Sequence, residues 1–380
     1  MKRLLVFHPA LAPYRIDFFN ALGRHFQCRV VFLYRQGEEV LTRQEEMLRQ
    51  STFEHGYMPF SHKMLGRDVS LGYLKELRRF RPDMVLTCEF GMPLLMPVML
   101  RRLVSPRYRL FTMCDDSIDM AMRRSPSQRR RQAWLLRRTD GVVCISKETA
   151  RWYRVHTPAK MTMSFPIIRD ERIFDPDSKK MRETARRYIE KFGLEGCRMA
   201  LFVGRLIELK NVHLLLRRFA EQVENDTDRE NLRLVIVGSG VEEENLRQLA
   251  EDLCVDRQVV FAGAYSGDEL MAWYRTASFL VLPSRTEAFG AVVNEALLTG
   301  CPALVSDRAG ARSIINAENG RTFNPSDSDA FRDVIREAFA KAEPTPADGF
   351  SRKSLMPVTF ADSMKELQKF LKGNTPKSTH

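Results

Sequence analysis

A chain of 380 residues is longer than one hydrophobic core usually serves, which predicts two packed domains of about 150 to 200 residues each and excludes a lone small module. With 44% apolar and 28% charged residues it lies near the averages for soluble globular chains, which excludes wholesale disorder, collagen and a disulfide scaffold. The formal net charge is +12, and most of the excess falls in residues 101–160, where 15 Lys and Arg face 5 Asp and Glu for a local +10.

The chain opens on Met1-Lys2-Arg3 and an apolar run over 4–7 that is cut by His8, Pro9 and Pro13, so the start reads as mature sequence rather than a secretory signal. From there short β-branched runs alternate with longer amphipathic stretches, the pattern of strand-helix-strand units and a parallel sheet. Strands are expected over 4–7, 29–33, 84–88, 109–113 and 141–145, with helices over 16–25, 73–80 and 127–137. The longest apolar window, 91–100, closes at Arg101-Arg102 and falls short of the roughly 18 to 20 residues that span a bilayer. Residues 164–196 lack a strong strand period, and an interdomain linker is placed at 171–196, after a first domain over 1–170. A second α/β domain follows over 197–350, with strands over 199–203, 233–237, 258–262, 279–282 and 303–306, each leading into a helical stretch. A last amphipathic helix at 360–371, within a segment of about 355–373 expected to pack back on the first domain, precedes a polar tail. Both domains read as doubly wound α/β layers. The seven cysteines are odd in number and lack paired spacing, which reads as reduced thiols in the cytoplasm.

The arginines concentrate on one stretch. Arg123-Arg124, Arg129-Arg130-Arg131 and Arg137-Arg138 flank Trp134, Leu135 and Leu136 on a segment that reads as helix after Pro126. Such a surface attracts anionic lipid head groups or nucleic acid, and a solvated helix face is the plain alternative. No nucleic-acid-binding signature accompanies the arginines, so the expected partner is an anionic membrane surface and not nucleic acid.

Three loops carry the chemistry. Val237-Gly238-Ser239-Gly240 follows a strand, but the third glycine of a dinucleotide fingerprint is missing at Glu243 and three glutamates from Glu242 would repel a pyrophosphate, so the glycines read as a tight turn. At Val203-Gly204-Arg205 a strand ends, and Arg205 and Lys210 lie in the loop before a helix that opens near Asn211. Two cations and the positive end of a helix make a diphosphate clamp. The third loop, Pro283-Ser284-Arg285-Thr286-Glu287-Ala288-Phe289-Gly290, runs into a helix through Asn294-Glu295-Ala296. Glu287 in the loop and Glu295 inside the helix can point into one cleft at the carboxyl edge of the sheet. A carboxylate such as Glu295 accepts two hydrogen bonds and suits ribose or sugar hydroxyls, and backbone N–H groups near Phe289 and Gly290 suit a phosphate. A solvent-facing helix carboxylate is the plain alternative for Glu295.

These residues resemble the retaining glycosyltransferases of family four, which have the GT-B fold. The likeness rests on Glu287 and Glu295 in a Pro-Ser-x-x-Glu-Ala-Phe-Gly frame, on Gly204-Arg205 with Lys210-Asn211, on Gly238, on Val260-Phe261-x-Gly263 and on Asn319-Gly320, and covers about residues 199–325. The resemblance implies two doubly wound Rossmann-like domains facing across a cleft. It implies transfer of a sugar from a UDP- or GDP-linked donor to an acceptor hydroxyl with retention, in cell-surface polysaccharide or lipid-linked glycan synthesis. It also implies that no cofactor and no divalent metal is needed. Arg205 and Lys210 would hold the donor diphosphate, Glu295 the ribose, Glu287 the donor sugar, and backbone around Gly263 the base. The implied location is cytoplasmic and peripheral, at the inner face of the cytoplasmic membrane, with a glycan or lipid-linked acceptor.

The first half departs from the commonest pattern. Its first loop is His8-Pro9-Ala10-Leu11-Ala12-Pro13-Tyr14-Arg15 rather than glycine-rich, and a histidine frequent in relatives is replaced by Cys114-Asp115-Asp116. Arg15 and Glu89 are the acceptor-side candidates. Asp115 and Asp116 join Glu287 as catalytic candidates, with capping of the following helix as the alternative. Two rival readings remain at this stage, a sugar-nucleotide epimerase of similar architecture and a basic scaffold that binds lipid or nucleic acid without catalysis.

Overall fold

The structure, a computed structural model, describes residues 1–33, 48–49, 51–58, 62–64, 67–69, 72–104, 107–172, 175 and 177–373. The polar tail beyond 373 lies outside the described residues. The chain divides into two compact units, Met1–Asp170 with the segment from Phe360, and Glu171–Thr359.

The first unit is built on seven parallel strands, β1 (Arg3–His8), β2 (Gln27–Phe32), β3 (Glu54–Tyr57), β4 (Met84–Cys88), β5 (Arg109–Cys114), β6 (Gly141–Cys144) and β7 (Thr162–Ser164), in the spatial order β3-β2-β1-β4-β5-β6-β7. Its helices are α1 (Ile16–His25), α2 (Gly72–Phe80), α3 (Met92–Leu100), α4 (Ile118–Met122), α5 (Pro126–Leu136) and α6 (Lys147–His156). The central strands are continuous apolar runs because a parallel sheet is covered on both faces, and Leu4 to Phe7 are fully buried. β1 pairs with β2 on one side and β4 on the other, so the order reverses there. The crevice outside the carboxyl ends of β1 and β4 is the place where such a sheet binds ligands.

The second unit repeats the plan with six parallel strands, β8 (Arg198–Val203), β9 (Leu232–Val237), β10 (Val259–Gly263), β11 (Phe279–Leu282), β12 (Ala303–Ser306) and β13 (Gly320–Phe323), ordered β10-β9-β8-β11-β12-β13. Its helices are α7 (Lys179–Phe192), α8 (Val212–Asn225), α9 (Glu243–Asp252), α10 (Gly267–Thr276), α11 (Ala291–Leu298) and α12 (Ser328–Lys341). Here the reversal lies between β8 and β11, the two strands that feed the Arg205 and Glu287 loops. Both sheets are doubly wound.

The stretch 171–196, expected to be a linker, holds the fourteen-residue helix α7 and belongs to the second unit. Met181, Thr184, Ala185, Tyr188 and Ile189 recur at helical spacing and are buried beneath a charged outer face, with Tyr188 stacked on Trp273 at 4.5 Å. The second unit also runs on to Thr359, past the expected limit of 350. The last helix, α13 (Phe360–Lys372), is part of the first unit. Phe370 packs on Phe111 with ring centroids 5.5 Å apart, and Arg109 donates to the Leu371 carbonyl at 2.8 Å. A Cβ at Gly141 would lie 2.5 Å from the Phe370 ring, so only glycine fits beneath this helix.

Candidate functional site

In the second unit, β8 ends at Val203 and the chain passes through Gly204 to Arg205. This loop lies directly on the glycine turn after β9. A Cβ at Gly238 would sit 1.8 Å from the Gly204 carbonyl oxygen, and one at Gly240 would sit 2.2 Å from that of Leu206. Leu206 N–H donates to the Ser239 carbonyl at 2.9 Å. Gly238 and Gly240 therefore make room for the neighbouring loop, which accounts for them without a dinucleotide. Arg205 is exposed, and among the described residues its guanidinium has no ionic partner.

Lys210 closes a short 3-10 turn, Glu208–Lys210, and Asn211 follows in the left-handed region with φ 59°. Asn211 is buried and donates from Nδ2 to the Pro283 carbonyl at 3.1 Å, while Arg285 N–H donates to the Leu209 carbonyl at 2.9 Å. The loops after β8 and β11 are thus stitched together, and the stitch sets Lys210 Nζ against Glu287 Oε2 in an ion pair whose side chains are 17% and 18% exposed. The Glu287 loop is fixed from its other side by Gly310 N–H, which donates to the Glu287 carbonyl at 3.3 Å.

Phe289 is buried, so its backbone alone is available to a ligand. Gly290 turns the chain into α11 with φ 98°, where a Cβ would meet Leu282 at 2.6 Å. Glu295, in α11, accepts a hydrogen bond from the Tyr274 hydroxyl at 2.9 Å, and Tyr274 is itself buried in α10. Gly263 ends β10 with φ 87°, and its carbonyl accepts from Gly238 N–H at 2.9 Å. Tyr274 and Asn211 hold candidate-site elements in place by bonds that spacing alone did not single out. Asn211 had a signal, a polar residue at a helix start beside the two cations, whereas Tyr274 reaches Glu295 from a separate helix.

The first unit gathers a second cluster at the carboxyl ends of β1, β4 and β5. Arg15 donates to Asp115 at 2.5 Å, and its side chain is 4% exposed against 34% for Asp115. Burial opposes the Arg15 charge, but the Asp115 carboxylate more than offsets it and raises the guanidinium pKa. Glu89 has φ 57°, uncommon for a residue with a side chain, and Oε1 accepts from the Asp115 N–H at 3.0 Å. Removal from water first, and the charge of Asp116 second, push the Glu89 carboxyl up to about 7. Its side chain keeps 44% of its surface accessible, so it stands at the mouth of the cluster, where water limits the shift.

Asp116 points into the interior instead. Its Oδ2 accepts from Arg124 at 2.5 Å and from the Tyr153 hydroxyl at 2.8 Å, and Tyr153 in turn accepts from Gln132 at 2.8 Å. Neither aspartate caps the following helix. Ser117 does, accepting from the Met120 N–H at 3.3 Å. Glu89, Cys114 and Asp116 offer ligand atoms within 4.8 Å of one another. Arg124 already neutralises Asp116, and the buried Cys114 thiol donates to Tyr153 with its pKa raised well above the usual range by burial, so the trio reads as a hydrogen-bonded core.

The basic stretch forms α5, capped by Ser125 and Gln128 in a reciprocal capping box. Arg130 and Arg131 are exposed, while Arg129 donates to the carbonyls of Met122 and Arg124 and ties α4 to α5. Arg138 covers the Trp134 ring at 4.0 Å. Beside these cations stand large exposed apolar side chains, Met99 and Leu103 around Arg101-Arg102, and Met120 and Met122 next to Arg123. Among the described residues, no helix is long and apolar enough to cross a membrane.

Residues 185–347, which contain every donor-side candidate, match the family model of Glycosyl transferases group 1. An uncharacterized glycosyltransferase of Methanocaldococcus jannaschii is 40% identical over 138 residues, covering 35% of this chain and 33% of that protein. A D-inositol 3-phosphate glycosyltransferase of Corynebacterium efficiens is 34% identical over 154 residues, covering 39% and 35%. The chain spans about a third of the length of these curated relatives. Among solved structures, Anabaena HepE in complex with UDP and glucose shares the fold with a TM-score of 0.73 at 16% identity, over 98% of this chain and all of that one. WaaG, a glycosyltransferase involved in lipopolysaccharide biosynthesis, does so with a TM-score of 0.58 at 20% identity, over 89% and 90%. These two likenesses are of fold.

Proposed function

We propose, from a second unit that carries the group 1 glycosyl transferase match, that the protein is a glycosyltransferase. It moves a sugar from a UDP- or GDP-linked donor to an acceptor hydroxyl with retention and without a divalent metal. The observation that carries this reading is the Lys210–Glu287 pair at the point where the second sheet reverses, on the same loops as the unpaired Arg205 and ahead of the Tyr274-anchored Glu295.

Before donor binds, Lys210 and Glu287 neutralise one another. An incoming diphosphate competes for Lys210 and leaves the Glu287 carboxylate free to accept hydrogen bonds from the sugar. Glu295, held by Tyr274, accepts the ribose hydroxyls, and backbone at Gly263 meets the base. As the glycosidic bond breaks, negative charge grows on the departing diphosphate, where Arg205 and Lys210 are already in place to receive it. Arg15, Glu89 and Asp115 form the acceptor side.

The acceptor is a glycan or lipid-linked sugar of cell-surface polysaccharide synthesis, reached at the inner face of the cytoplasmic membrane. Exposed Arg130 and Arg131 supply attraction to anionic lipid, and Met99, Leu103, Met120 and Met122 supply apolar contact. A test incubates the protein with UDP-glucose, UDP-galactose, UDP-N-acetylglucosamine or GDP-mannose. Acceptors are octyl glycosides or, after the named relatives, D-inositol 3-phosphate. Release of nucleoside diphosphate with a product that keeps the donor's anomeric configuration, unchanged by a chelator, is expected. Isomerised donor without transfer, or no nucleotide from any donor, overturns the reading.

A further inference from the structure

We infer that His8 is an acceptor-binding residue, whose Nε2 takes a hydrogen bond from a hydroxyl group of the sugar that receives the transferred unit. The inference rests on the glycosyltransferase reading and adds to it a residue that the donor and acceptor assignments leave unused.

His8 is the last residue of β1, at the reversal of the first sheet, and is 9% exposed. Its Nδ1 lies 2.8 Å from the Ala10 carbonyl oxygen. A carbonyl oxygen can only accept, so Nδ1 carries the proton, and in a neutral ring Nε2 is left as an acceptor. The ring is neutral. Burial first and the Arg15 charge second lower its pKa to about 4, against the opposing Ala10 bond and Asp115 charge. The ring plane is set by Phe19, which meets it edge-on at 5.2 Å.

Nε2 has no hydrogen-bond partner among the described residues, yet it is not one of the sealed, unpartnered polar atoms of the interior. The charged groups that face it, Arg15 and Asp115, are committed to one another. A nearly buried acceptor with a fixed tautomer, open at the ligand-binding edge of a parallel sheet, is matched to a neutral O–H donor. A carboxylate or a phosphodiester, which brings only acceptor atoms at neutral pH, does not satisfy it.

His8→Asn and His8→Gln separate the two nitrogens. The asparagine amide can keep the bond to Ala10 and has nothing at the Nε2 position, whereas the longer glutamine places a polar atom near it. Donor hydrolysis by water and transfer to octyl glucoside, octyl galactoside or octyl mannoside are measured with whichever nucleotide sugar the wild type cleaves. His8→Asn is expected to raise the glycoside KM about tenfold, the effect of one hydrogen bond of about 1.4 kcal/mol, while hydrolysis by water stays near wild type. His8→Gln is expected to recover most of the loss. A wild-type glycoside KM in His8→Asn, or hydrolysis and transfer falling together, overturns the assignment. A wild type that hydrolyses donor but uses none of the glycosides refutes the His8 inference alone. A wild type that releases no nucleotide from any donor refutes the glycosyltransferase reading, and this inference with it.

Discussion

Lys210 and Glu287 are each other's counter-ion across two loops that leave adjacent strands of the second sheet. Removing one partner strands the other in a mostly enclosed place, whereas removing both does not. Lys210→Met and Glu287→Gln are each expected to lower stability to urea by about 1 kcal/mol, and the double variant to regain part of that loss through the coupling of the pair. Activity follows the opposite rule. Lys210→Met is expected to lower kcat/KM by about 100-fold or more, the scale of losing one preorganised charge-stabilising contact, and the double variant to stay at least as impaired. Additive stability losses would show that the two side chains do not interact.

Tyr274 offers a gentler probe of the proposed donor site, because its hydroxyl donates to Glu295. Tyr274→Phe is expected to raise the donor KM about 3- to 10-fold with little change in kcat, as the loss of one hydrogen bond to a charged group predicts. Glu295→Gln should raise it further. Steady-state kinetics with varied donor decide the matter, and a fall in kcat at constant KM would place Glu295 in the chemical step instead.

The two adjacent aspartates should separate cleanly. Asp115 is one-third exposed and bonded to Arg15, while Asp116 is buried against Arg124 and Tyr153. Asp116→Asn is therefore expected to lower thermal stability, by about 2 kcal/mol or more for loss of a charge facing a buried cation. Asp115→Asn, which takes the counter-ion from the still more buried Arg15, is expected to lower stability as well and, in addition, to lower turnover with the true acceptor. Wild-type turnover of Asp115→Asn with the true acceptor would contradict this division.

His8 and Glu89 impose opposite pH dependences on stability. The native state holds the His8 pKa at about 4, below the ordinary 6.5, so the unfolded chain binds more protons in between and stability rises with pH across that window. Glu89 is raised from 4.5 to about 7, so the native state binds more protons there and stability falls as pH rises through the range. Arg15 and Asp115 face the histidine, and Asp115, Asp116 and Arg124 face the glutamate. The Tm of Glu89→Gln relative to wild type should climb from pH 5 to pH 8, and that of His8→Gln should fall over pH 4 to 6.5. Parallel Tm curves for all three proteins would remove both shifts.

Membrane attachment should have two separable parts. Arg130→Ser with Arg131→Ser is expected to weaken sedimentation with phosphatidylglycerol vesicles at low salt, at about 1 kcal/mol for each cation near the surface. Met99→Ser with Leu103→Ser should instead weaken the fraction that survives high salt, which screening cannot touch. Arg129 is a poor choice for this purpose, since it ties α4 to α5. Wild-type sedimentation by both double variants would remove the membrane role.

The central strands were legible in the sequence because burial on both faces turns each into an unbroken apolar run, and the expected spans at 84–88, 279–282 and 303–306 coincide with β4, β11 and β12. Of the edge strands, β10 was expected at 258–262, but β3, β7 and β13 were not. β3 reads Glu-His-Gly-Tyr and β7 Thr-Met-Ser, and a half-covered edge has no need of such a run. Helix α7 hid behind its own charges, although its buried positions at 181, 184, 185, 188 and 189 keep helical spacing. The sequence pattern placed Arg205, Lys210 and Glu287 in the loops after β8 and β11 and Glu295 in the helix that follows, and the structure has them there. The bonds from Asn211 to Pro283 and from Tyr274 to Glu295 join residues 72 and 21 positions apart, and no local pattern encodes a partner at such a distance. Asp115 and Asp116 illustrate the same limit. Neighbours in sequence, one is a third exposed and the other is buried in the core, and only the tertiary positions of Arg15 and Arg124 tell them apart.

The C-terminal helix of the first unit has a consequence for synthesis on the ribosome. Phe360 and Phe370 cover Phe165 and Phe111, yet they are translated only after Glu171–Thr359 has been made. At about 5 to 20 residues per second, those 189 residues take roughly 10 to 40 s. Throughout that interval the nascent first unit presents an uncovered aromatic face where Phe370 will later sit over Gly141. The moment of greatest exposure to chaperones and to aggregation therefore falls while the second unit is being made, and it ends when Phe360–Lys372 docks.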